Sequence, residues 1–62
     1  MLLSIRLFKE NWPTVWGPHS FEGDLAAAYE FAEARARKTG HREVYAEIKS
    51  QEGQTWVRWL GK

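Results

Sequence analysis

The chain contains no cysteine and a single methionine. Without thiols it can form neither a disulfide framework nor a thiolate metal site, so stability must come from apolar packing or self-association. Charge of one sign is lacking too: nine Lys and Arg stand against eight Asp and Glu, leaving a net +1 with acids and bases interspersed. No long-range field therefore draws the chain to nucleic acid or to an anionic membrane. Long apolar runs are missing as well. The opening stretch MLLSIRLFKE is broken by Ser4 and Arg6 and closed by charge, which suits neither a signal peptide nor a membrane span. With no repeat, low-complexity stretch or linker, residues 1–62 read as one soluble, cytoplasmic domain with no membrane role.

Aromatic residues are plentiful: four Trp, three Phe and two Tyr. A domain of this size buries only about 60% of the surface its unfolded chain exposes. Aromatic side chains bury the most area per residue, so a small chain without staples has a structural use for them before any functional one.

The segment Asp24 to Gly40, DLAAAYEFAEARARKTG, carries a helical period. On a wheel of about 100° per residue, Leu25, Ala28, Tyr29, Ala32 and Ala36 share one side, and Glu30, Glu33 and Arg37 lie opposite. Asp24 suits the N-cap, and Gly40 suits the left-handed position that closes a helix. Basic residues gather late, as the macrodipole favours, and Glu33 and Arg37 are spaced for an i to i+4 pair. Alanines in the buried stripe let the helix lie close against a flat surface. Phe31 falls at the border of that stripe.

Either side of the helix the period drops to two. Leu3, Ile5 and Leu7 alternate with Ser4, Arg6 and Phe8, which predicts a strand over 2–9. Thr14 to Trp16 could pair back on it, with Gly17 and Pro18 as an interruption before His19, Ser20 and Phe21 lead into the helix. Val44, Ala46 and Ile48 alternate with Tyr45, Glu47 and Lys49, and Thr55 to Leu60 is rich in strand formers. The polar loop between, with Gly53 late in it, predicts a hairpin on a type I turn and a left-handed glycine. For the last strand two facings remain open, and the preferred one turns Val57 and Trp59 to the helix and Trp56, Arg58 and Leu60 away.

These elements assemble as β-β-α-β-β, an α+β two-layer sandwich with one helix on a mostly antiparallel sheet of three or four strands. The expected core is Leu3, Ile5, Leu7, Leu25, Ala28, Tyr29, Ala32, Val44, Ala46, Ile48 and Val57. Tests for chemistry lead elsewhere. His19 and His41 are far apart and have no cysteine neighbours, so no metal and no cofactor is expected. His19, Ser20 and Asp24 lie too close in sequence to aim at one another as a triad, and Asp24 serves as a cap. Gly17 and Gly23 lack phosphate-loop spacing. The expectation is a protein without enzyme activity.

One helix shields one sheet face. On the preferred facing, the other face carries Arg6, Phe8, Tyr45, Lys49, Trp56 and Arg58, the candidate partner-binding residues, in more aromatic area than a solvated surface needs. A protein partner ranks first, and a second copy of the chain, giving a homodimer, is the main alternative. Single-stranded nucleic acid ranks lower, because Glu47 interrupts the face and no basic stripe crosses it.

His19-Ser20-Phe21-Glu22, followed by the alanine-rich Ala26 to Ala34 with Phe31-Ala32-Glu33, resembles the strand-to-helix junction of small phage-encoded inhibitors of host RNA polymerase. The likeness covers about a quarter of the chain, and the acidic region is reduced here to Glu22 and Asp24. It implies a non-enzymatic protein that occupies a surface of a larger assembly, in the host cell cytoplasm if phage-encoded. It assigns no binding residue.

Overall fold

The computed structural model describes residues 1–11 and 14–61. Trp12 and Pro13, in the expected first turn, lie outside the described residues. The elements are β1 (Leu2–Phe8), β2 (Thr14–Glu22), α1 (Leu25–Lys38), β3 (Tyr45–Ser50) and β4 (Thr55–Trp59). They form the expected α+β arrangement, one helix against a four-stranded antiparallel sheet in the order β2-β1-β3-β4. Because β2 and β3 both run antiparallel to β1, they are parallel to each other, and the chain crosses β1 through α1 to pass between them. No helix among the described residues is long and apolar enough to cross a membrane.

The period-two pattern of β1 determines what lies beneath the helix. Ile5 pairs with Ile48 and Leu7 with Ala46 across the centre of the sheet, and all four are fully buried. Ala28, Ala32 and Ala36 descend onto them, and the first two have no exposed surface. Leu3, Tyr29 and Val44 complete the core among the described residues, while Leu25 lies at its border. At the start of α1, the Asp24 carboxylate accepts from the Ala27 amide at 2.8 Å. At its end the His41 amide donates to the Ala36 carbonyl at 2.9 Å and the Gly40 amide to that of Arg37 at 3.2 Å. This pair of bonds is the Schellman closure, with Gly40 at a φ of 76°. Glu33 and Arg37 face solvent and make no ion pair with each other.

The hairpin between β3 and β4 closes as expected. The Gly53 amide donates to the Ser50 carbonyl at 3.1 Å, and the Ser50 amide to that of Gln54 at 2.9 Å. Ser50 is the buried polar side chain of the core, and its hydroxyl accepts from the Gln54 amide at 3.1 Å.

Two expectations need correction. Gly17 and Pro18 do not interrupt β2, which runs nine residues through them. The strand absorbs them in an irregularity of register between the Ile5–His19 and Leu7–Trp16 pairings, and a second irregularity follows between the Leu7–Trp16 and Phe8–Thr14 pairings. It can do so because it is an edge strand, where a residue without an N–H is tolerated.

The last strand faces the other way from the preferred reading. Trp56 pairs with Ile48 and Arg58 with Ala46, which puts both on the helix side, whereas Val57 pairs with Glu47 and Trp59 with Tyr45 on the far side. Val57 is therefore 52% exposed instead of buried in the core, and Trp56 and Leu60 pack against the core's border. Arg58 is accommodated there because its guanidinium lies 4.0 Å from the centre of the Tyr29 ring.

Candidate functional site: the uncovered sheet face

The face away from α1 is built by every second residue of the strands, so its rows follow from the pairing. Phe8, Tyr45 and Trp59 form one row across β1, β3 and β4. The Phe8 and Tyr45 rings stack with centres 5.3 Å apart, and Trp59 meets Tyr45 edge-on at 4.9 Å. Each aromatic pair of this kind contributes roughly 0.5–1.5 kcal/mol beyond area burial, which holds the row as a fixed surface. Trp59 stays 48% exposed at the outer end.

The next row is polar and locked. Arg6 donates from Nε to Oε1 of Glu47 at 2.9 Å and from Nη1 to Oγ1 of Thr14 at 2.9 Å. Its guanidinium also lies 4.7 Å from the centre of the Phe8 ring. The pair is only partly shielded, with Arg6 and Glu47 side chains 32% and 22% exposed, so its worth is orientation more than stability. Val57 ends this row, bare, on β4. Beyond it a shallow depression of about 410 Å³ is lined by Ser4, Arg6, Pro18, Glu47 and Lys49.

Of the six residues expected at a partner site, Arg6, Phe8, Tyr45 and Lys49 share this face. Trp56 and Arg58 do not, since their strand is turned over. Trp59 and Val57 take their places. The hairpin held the signal for this exchange: with Lys49 opposite Thr55 across the loop, Ile48 must lie opposite Trp56 and Tyr45 opposite Trp59.

The remaining candidates lie elsewhere. Trp16, His19, Phe21 and Phe31 form an aromatic cluster between β2 and α1, on the helix side, with the Arg35 guanidinium 5.2 Å from the centre of the Trp16 ring. Phe31 is thus a border residue of the core, partly buried against β2. A loop carrying Trp12 and Trp16 is the sequence's other candidate for covering the far face; Trp16 packs on the helix side instead, and Trp12 lies outside the described residues. His19 pairs with Ile5 and Ser20 with Ser4, which puts them on opposite faces of the sheet, so with Asp24 they form no triad. His41 lines a cleft of about 480 Å³ with Glu33, Arg37, Arg42, Glu43 and Leu60, below the end of α1.

Comparison with family models, characterised proteins and solved structures finds no match to this chain.

Proposed function

We propose that this chain is a small non-enzymatic protein-binding module that docks through the uncovered sheet face and acts by occupying a surface of its partner. The observation that carries the reading is the rigid row Phe8, Tyr45 and Trp59, with Val57 bare beside it. Tyr, Trp and Arg dominate binding energy at protein interfaces, and here an arginine is already oriented at the edge of the row, its ordering cost met before any partner arrives. The likeness of residues 19–34 to phage-encoded inhibitors of host RNA polymerase suggests the kind of partner, a component of a host assembly blocked by steric occupation in the host cytoplasm.

Single-stranded nucleic acid is the weaker reading. Arg6 is paired with Glu47 and Arg58 is on the other face, so Lys49 is the cation of this face with no carboxylate partner among the described residues. Phosphate binding loses its main affinity term on such a surface.

The test is quantitative capture from a host lysate by the immobilised wild type, Tyr45→Ala and Phe8→Ala, each checked for its circular dichroism spectrum. A host protein retained by the wild type should be lost roughly tenfold or more on either variant, the scale of one hot-spot residue. Equal retention by all three refutes the face as the docking surface. Steeply salt-dependent binding of single-stranded RNA, with no protein retained, favours the nucleic-acid reading instead.

A further inference from the structure

The two edges of the sheet are not alike. On β2 the edge is broken by two register irregularities and by Pro18, devices that stop a strand from pairing with another chain. β4 has neither: its five residues, Thr55-Trp56-Val57-Arg58-Trp59, pair with β3 without a shift, and the strand ends the sheet. Among the described residues its outer backbone groups face no strand, and Val57 and Trp59 stand half exposed beside them.

The order of residues on that edge selects its occupant. We infer that β4 pairs antiparallel with β4 of a second copy of the chain, about a two-fold axis through Val57. This register pairs all five residues of the strand. It sets Val57 against Val57 and Thr55 against Trp59 on the uncovered face, and Trp56 against Arg58 on the helix side, twice over. Directly opposed Cβ atoms lie about 4.5–5.5 Å apart, so each Trp56 indole comes beside Arg58 of the other copy, whose guanidinium lies over Tyr29 at 4.0 Å and can be flanked by both rings. Centring the pair on Arg58 would oppose two arginines, and centring it on either Arg58 or Trp56 would pair only three of the five residues. The sequence TWVRW is thus complementary to itself in one register.

Symmetry of this kind preserves the faces, so both helices lie on one side and both Phe8-Tyr45-Trp59 rows on the other. The edge and the face remain separate surfaces: a partner can bind the face of a lone copy, and two copies can pair without any partner.

The test is sedimentation equilibrium of the wild type from micromolar to millimolar concentration, with Val57→Lys and Val57→Glu alone and mixed. Val57 is 52% exposed, so neither change enters the core. The wild type should pass from monomer to dimer mass. Each variant should dimerise at least about tenfold more weakly, because it opposes like charges on the axis. An equimolar mixture should recover the dimer, because the axis then joins lysine to glutamate. A wild type that stays monomeric throughout overturns the inference, and so does a mixture no more dimeric than either variant alone.

Discussion

Gly17→Ala should cost the protein a large part of its stability, and the structure allows the size of the effect to be worked out. Gly17 has a φ of +95°, and a Cβ placed there would lie 2.5 Å from the Ile5 carbonyl oxygen, a backbone atom. Ordinary contact begins at 3.4 Å, and β1 cannot retreat, because it is held between β2 and β3. The backbone conformation alone costs an L-residue about 1–2 kcal/mol. Forcing the strands apart costs about 1–3 kcal/mol more, the usual range for overpacking a fixed neighbour. Together these come to about 2–5 kcal/mol, a large part of the stability of a chain this long, about 3–9 kcal/mol at typical values per residue. Gly53 supplies the control: its φ is +94°, but nothing lies within 4 Å of its would-be Cβ. Gly53→Ala should therefore lose only the conformational part, moving the urea midpoint by about 1–2 M at the slope expected for a small domain. Gly17→Ala should lose both parts and move the midpoint at least about twice as far. Equal midpoints for the two variants would refute the close approach of β2 to β1.

Asp24→Ala removes the acceptor of the Ala27 amide and should cost about 1 kcal/mol, seen as a fall of roughly 4–8 °C in Tm for a domain this small. Trp56→Ala opens the core's border and should cost about 2–4 kcal/mol, whereas Trp59→Ala, losing half-exposed area and its contact with Tyr45, should cost less, about 1–2 kcal/mol. Urea titration ranks the two, and the opposite order would mean that β4 faces the other way.

Most of the fold could be read from residue order, for identifiable reasons. The helix has a cap, a stripe and a closure that agree with one another, and local signals of that kind leave few alternatives. β1 and β3 each bury one clean face, so their alternation carried their orientation. β4 has bulky or charged residues on both faces, so alternation could not orient it, and the hairpin register decided the matter. Gly17 and Pro18 read as a break because local propensity cannot tell an edge strand from a central one, and only an edge can absorb them. The candidate site divided along the same line. Arg6, Phe8, Tyr45 and Lys49 lie on well-patterned strands and share the uncovered face, while Trp56 and Arg58 turn with β4 to the helix side and leave Trp59 and Val57 in their place.

The position of β1 also bears on how the chain is born. It is synthesised before the other elements of the sheet, yet it ends in the middle, with one neighbour drawn from residues 14–22 and the other from residues 45–50. A nascent chain that has reached α1 can pair one side of β1, but Ile5 and Leu7 have no Ile48 or Ala46 to meet. The helix stripe would then rest on a ribbon of two strands, too narrow to shield it. Until β3 leaves the ribosome the sticky half of the molecule is bare, so any early contact with chaperones should fall in the interval between the emergence of residue 38 and that of residue 50.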